Sequence, residues 1–210
     1  SLTDDERLNN LAYISIFVPL TDKFFAVYGA STDFVRQVRR LAPALKRPLC
    51  ARRSRWCVRR NLRFEPKRIG GLKWYVRKEF YNDQLHALLA DPDGSLDRCR
   101  KLFKSGPNRT STVGAFDGVV LKRYNVKQRI SYLKDIFRPS RALRAYRKAW
   151  HLELLGLRTG RPVAAAERRV LRVLIHSYFV MEEIPGAIEL GEYLRKTPKP
   201  ESAIIGRVAD

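Results

Sequence analysis

Lys122 is the residue with the most chemistry to offer. It stands in Gly118-Val119-Val120-Leu121-Lys122-Arg123-Tyr124, directly after the turn signal Asp117-Gly118 and ahead of a long amphipathic pattern. An ammonium fixed on a strand opposite a helix is a compact point charge suited to phosphate oxygens. Few residues compete with it. His86, His151 and His176 fall in three different predicted elements and make no catalytic pattern. Cys50, Cys57 and Cys99 are an odd set without CxxC spacing, and Cys50 and Cys57 lack a further His or Cys at zinc-ligand spacing. Such a set suits a reducing compartment rather than a disulfide framework. Trp56, Trp74 and Trp150 read as packing residues.

The elements that must position Lys122 are legible around it. Residues 100–124 read as three successive antiparallel strands, with a turn cluster at 105–109 and a type I′ hairpin at Asp117-Gly118. Pro139-Ser140 opens a helix whose apolar face includes Leu143, Tyr146 and Trp150, and Gly156 stops it. Residues 162–166 and 171–181 are further strands, with Glu167-Arg168-Arg169 as the turn between them. Glu182-Glu183-Ile184-Pro185-Gly186 breaks the second. A short helix at 190–196 follows, and 202–210 reads as the start of another. Upstream, Gly70-Gly71 precedes a strand at 72–80, and residues 81–90 form a short helix ended by Asp91-Pro92-Asp93-Gly94. Thr32-Asp33 caps a helix that reaches residue 45 and is limited by Pro43 and Pro48.

Charge is concentrated. The chain of 210 residues carries 42 Lys and Arg against 21 acids, a formal net charge of +21. Residues 36–78 hold 16 of the cations and one acid, Glu65, leaving +6 for the rest. Such a segment seeks polyanions: nucleic acid, an anionic membrane face or a phosphorylated substrate. The tract 46–68 shows no apolar period and is expected to pack poorly, as a solvated linker or arm. No apolar run is long enough for a membrane span, since residues 11–20 give about half the length needed. With 45% apolar residues the chain can build a core. Ser1 and Asp210 read as cut ends.

The order strand, strand, strand, helix, strand, strand, break, helix is that of a protein-kinase small lobe and hinge. From about residue 69 to 210 the chain resembles the lipopolysaccharide core kinase family, bacterial enzymes with a protein-kinase-like fold that phosphorylate heptose or Kdo sugars. The resemblance rests on Leu102-Phe103-Lys104, Thr110-Ser111-Thr112-Val113, Val119 to Tyr124, Pro139-Ser140-Arg141-Ala142, His151-Leu152-Glu153 with Gly156-Leu157, and Tyr178-Phe179-Val180-Met181-Glu182. It implies an α+β fold: a five-stranded antiparallel sheet with one long helix, a hinge and the start of a large lobe at 67–210. Residues 1–66 are then a helical or irregular basic region of unknown role.

The same resemblance implies ATP and Mg²⁺ as cofactors and a set of nucleotide-binding positions. Lys122 would hold phosphates, with Gly106 in the thin glycine loop above them. Glu153, the one acid between Pro139 and Gly156, would be the ion-pair partner of Lys122. Met181 would face the base pocket, and Glu182 and Ile184 would offer main-chain groups to adenine. The catalytic Asp is expected beyond Asp210, so the chain as given is expected to be inactive alone. The implied acceptor is a core sugar, and the implied location is cytoplasmic, peripheral on the inner face of the bacterial inner membrane. Another small atypical kinase, or a non-catalytic basic nucleic-acid-binding protein, are the alternatives. No helix-turn-helix, zinc-finger or RNA-binding signature supports the last.

Overall fold

Seven antiparallel strands form one sheet in the computed structural model, which describes residues 3–99, 101–104, 111–125 and 138–187. In chain order they are β1 (Phe64–Ile69), β2 (Leu72–Arg77), β3 (Lys101–Lys104), β4 (Ser111–Ala115), β5 (Val119–Tyr124), β6 (Pro162–Val170) and β7 (Val173–Glu182). Their order across the sheet is β1-β2-β6-β7-β5-β4-β3. The five expected strands are present, but the sheet is larger. Gly70 and Gly71 both take positive φ and close β1 and β2 into a hairpin, as a type I′ turn demands. That hairpin adds to β6 through β2. Pro66 is tolerated in β1 because β1 is an edge strand, where a missing donor costs no ladder bond.

Helices cover both faces. On one face, α4 (Asp83–Ala90) and α5 (Pro92–Asp97) bury Leu85, Leu88, Leu89 and Leu96 against Trp74, Val76, Leu121, Tyr178 and Val180. Asp91-Pro92-Asp93-Gly94 was expected to be a stop; Pro92–Asp97 instead form a further short helix, started by the Asp91 side chain on the Gly94 amide. On the other face, α6 (Arg141–Leu154) packs Ala142, Leu143, Tyr146 and Trp150 against Phe64, Ala165 and Phe179. Ser140 caps it by accepting from the Leu143 amide at 3.2 Å. Gly156, at φ +84°, ends it with its amide on the Glu153 carbonyl.

Four expectations fail locally. The helix α3 runs Thr32–Arg53, through both Pro43 and Pro48. An interior proline costs about 3 kcal/mol, so tertiary packing must outweigh it. Leu49 and Cys50 are buried, Lys46 donates to the Leu155 carbonyl at 3.0 Å, and Cys50 Sγ to that of Leu154 at 3.6 Å. The tract 46–68 is accordingly not a loose arm. It supplies the end of α3, a 3₁₀ turn at Ser54–Val58 with Cys57 buried, and most of β1. Finally, β6 does not turn at 167–169 but continues to Val170, and the turn is Leu171-Arg172, both at positive φ. Conversely, only Gly118 is left-handed at Asp117-Gly118, so that hairpin is not type I′.

The remaining helices, α1 (Asp4–Ser15), α2 (Asp22–Tyr28) and α3, enclose a small separate core of Leu11, Ala12, Phe25 and Val38. Among the described residues no helix is long and apolar enough to cross a membrane. The expected helices at 190–196 and 202–210 lie outside the described residues.

Candidate functional site

Lys122 sits inside the sheet, not at its rim. Its strand β5 is flanked by β4 and β7, and Lys122 pairs with Val113 on one side and Phe179 on the other. Side chains alternate along a strand. Leu121 therefore enters the α4/α5 core while Tyr124 enters the α6 core. Lys122 shares the face of Tyr124, with its ammonium 5.0 Å from that ring centroid. Met181, opposite Val120 in the ladder, is part of the same α6-side cluster. Lys122, Tyr124 and Met181 thus lie together on the face that α6 covers.

Burial pushes the Tyr124 phenol up, and the nearby guanidiniums of Arg141 and Arg144, in the first turns of α6, pull it down. Lys122 lies over the Tyr124 ring, and Arg141 and Arg144 act on its phenol from the start of α6.

Glu153 goes elsewhere. Both its carboxylate oxygens are taken by Arg77, at 2.6 and 2.8 Å. The reason is geometric: Glu153 stands in the last turn of α6, which crosses the sheet from β5 towards β2. Three strand spacings separate β5 from β2, about 14 Å between backbones, which is far beyond ion-pair reach. The expected Lys122–Glu153 pair is therefore replaced by Arg77–Glu153. Sequence reading missed Arg77 because its partner lies 76 residues later. The only local signal was a charged residue ending an alternating strand.

Arg77 begins a chain of alternating charges. It is 3% exposed, stacks near Trp150 and Phe80, and also meets Glu79 at 2.9 Å. Glu79 contacts Arg161 at 3.3 Å, and Arg161 grips both oxygens of Glu182 at 2.7 and 2.8 Å. The hydrogen bonds with Arg161 hold the Glu182 carboxyl below its ordinary range, and those with Glu182 raise Arg161 in turn. The chain runs from the end of α6 to the end of β7.

The segment after β7 is tied on both sides. The Glu182 amide donates to the Arg161 carbonyl at 2.8 Å and the Glu183 amide to Gly118 at 2.9 Å. Ile184 is half exposed, and its carbonyl accepts from the Ala187 amide at 3.2 Å. Gly160 lies so close that a Cβ there would meet the Glu182 carbonyl and the Met181 methyl, each at 2.7 Å. Gly106 lies outside the described residues.

Comparison with known proteins adds little. No family model matches the sequence, and no curated protein is similar to it. A solved structure, WaaP in complex with acyl carrier protein, aligns over 52% of this chain at 21% identity with a TM-score of 0.30. The chain spans 42% of that protein's length. So weak a likeness decides neither fold nor activity.

Two other features do not join the site. A cleft of about 670 Å³, lined by Phe80, Leu85, Leu88, Arg98, Phe116 and Val119 among others, opens on the α4 side, the opposite face from Lys122. Cys57 donates its thiol to the Ser54 carbonyl, and burial pushes it up to about 12, which leaves it inert as a nucleophile. Among the described residues no group of three His, Cys, Asp or Glu side chains could hold a metal ion.

Proposed function

We propose that this chain is the nucleotide-holding part of an ATP-dependent kinase. The finer reading is phosphorylation of a heptose or Kdo sugar in the lipopolysaccharide inner core, at the anionic inner face of the bacterial inner membrane. The observation that carries it is the placement of Lys122 on an interior strand. Its neighbour across the ladder, β7, leads directly into the break at Glu183. Phosphate and base contacts of one nucleotide fall on such adjacent strands.

The residues present fit the phosphate end of a nucleotide. Lys122 offers a point charge, and Arg141 and Arg144 deepen the positive potential around Tyr124. At the base end the fit moves along the chain. The amides of Glu182 and Glu183 are spent within the protein, so main-chain contact to adenine falls to the segment from Ile184 onward. Met181 and Val120 would form the apolar wall beside it. When bound, ATP supplies the phosphoryl group and Mg²⁺ bridges its phosphates. The metal-holding and proton-accepting carboxylates belong, on this reading, to the part of a kinase that follows the hinge.

The test is phosphoryl transfer by the full-length protein, with labelled ATP and a lipopolysaccharide-core acceptor. Lys122→Ala should abolish most of the transfer without changing the fold. Full activity in that variant would remove the reading.

A further inference from the structure

The N-terminal helices leave an apolar patch open. Tyr13, Ile14, Phe17 and Val18 recur at the spacing of one helical face. The amides of Phe17 and Val18 both donate to the Ile14 carbonyl, which continues the helical turn past α1. All four side chains are between 40% and 53% exposed, while Leu11 and Ala12 fill the core beneath them. The patch continues onto the end of α3. Arg53 lies 4.2 Å over the Phe17 ring and 5.9 Å from that of Trp56, itself 49% exposed. Residues 46–63, the segment that carries Arg53 and Trp56, hold eight Lys and Arg and no acid; Lys46, Arg60 and Arg63 are engaged with Leu155, Glu65 and Trp150, while Arg52, Arg55 and Arg59 are exposed. The acids of α1, Asp4, Asp5 and Glu6, are at its other end, about 16 Å away along the axis.

We propose that this patch docks the protein on an anionic phospholipid bilayer. Ile14, Phe17 and Val18 enter the acyl boundary, Trp56 lies at headgroup level, and the surrounding arginines meet lipid phosphates. Charge complementarity selects this occupant. A second copy would bring like charges together, and a nucleic acid would use the arginines but leave the exposed Ile14 and Val18 without a role. Stable interfacial binding needs two signals, and the patch combines them: apolar insertion and a polybasic rim. The proposal deepens the membrane-surface part of the proposed function and rests on that part, not on nucleotide chemistry.

Vesicle binding tests it. The full chain is titrated with phosphatidylcholine vesicles, with and without phosphatidylglycerol, at low and high salt. Trp74 and Trp150 are buried, so Trp56 reports the surface. Brominated acyl chains should quench Trp56 on phosphatidylglycerol vesicles, and Trp56→Phe should remove that signal. Ile14→Ser, Phe17→Ser and Val18→Ser together should weaken binding about tenfold or more even at about 0.5 M salt, where charge is screened. Arg52→Ser, Arg55→Ser and Arg59→Ser together should remove most of the salt-dependent part, and circular dichroism should show both variants folded. Absence of quenching, or wild-type binding by the apolar variant, overturns the proposal. So does a vesicle-free dimer that the apolar variant dissociates, or release from vesicles by competing RNA. The assay contains no nucleotide, so its failure leaves the phosphotransfer reading intact. Loss of transfer in Lys122→Ala likewise should not move vesicle binding.

Discussion

Arg77 and Glu153 join β2 to the last turn of α6 by two parallel hydrogen bonds, at 2.6 and 2.8 Å. A planar guanidinium matches a carboxylate in this fork, so the pair fixes direction as well as distance. It also fixes which end of α6 lies over which strand: Glu153 over β2 and the Arg141 end near Tyr124 on β5. The helix is thereby oriented by a pair that neither residue's local sequence announces.

Breaking this pair should show first in stability. Arg77 is almost fully buried, and removing Glu153 leaves its charge with only the more exposed Glu79 as compensation. Glu153→Ala should lower the unfolding free energy by about 2–3 kcal/mol, and Arg77→Met with Glu153→Met should recover part of the loss. Urea unfolding of wild type, Glu153→Ala and the Arg77→Met/Glu153→Met double variant measures it. An unchanged midpoint for Glu153→Ala would show that the pair holds nothing in place.

The hairpin between β6 and β7 should be improvable. Leu171 and Arg172 occupy left-handed backbone that costs an ordinary residue about 1 kcal/mol or more each. Leu171 is also almost wholly exposed, so its side chain has little packing to lose. Leu171→Asn with Arg172→Gly supplies the pair this turn favours and should raise stability by about 1–2 kcal/mol. A thermal melt that moves downward would contradict the dihedral argument.

What the sequence announced and what it hid divide along physical lines. β4, β5 and α6 were legible because each is punctuated locally, by Asp117-Gly118, Ser140 and Gly156. The second half of α3 was hidden because local chemistry forbids it. Packing on α1 around prolines 43 and 48, and contacts to Leu154 and Leu155 about a hundred residues away, make both prolines tolerable. The end of β6 was hidden for a related reason. Glu167, Arg168 and Arg169 look like a turn, yet they pair with Ser177, His176 and Leu174 as the projecting end of a long hairpin. Of the candidate site, the strand that carries Lys122 could be read directly, whereas the partner of Glu153 could not.

Glu167 predicts a pH response. Burial raises its carboxyl, but the hydrogen bonds from Arg169 and the Ser140 amide outweigh it and hold the group below the ordinary 4.5. A carboxyl lowered in the folded state adds stability in full above its unfolded value and loses it as pH falls through the folded one. Glu167→Gln should therefore destabilise by about 1–2 kcal/mol near neutral pH, and the gap to wild type should close below about pH 4. Chemical unfolding across that range decides; a gap that stays constant with pH would exclude the carboxylate as its origin.

Lys122 and Glu153 should separate function from stability. Had they been partners, alanine at either would produce the same defect. With Glu153 held by Arg77, two different defects follow. Lys122→Ala in the full-length protein should leave the melting temperature within about 2 °C, since a partly buried strand lysine adds little apolar surface to the core. On the proposed kinase function it should lower kcat by about a hundredfold or more, as expected when a group stabilising phosphoryl charge is removed. Glu153→Ala should do the reverse, shifting the melt while retaining much of kcat at temperatures where the variant is folded. Melts and transfer rates measured side by side on both variants test the split. If both lost activity equally while both kept the wild-type melting temperature, the two residues would act as one unit, and the Arg77 pairing would not describe the working protein.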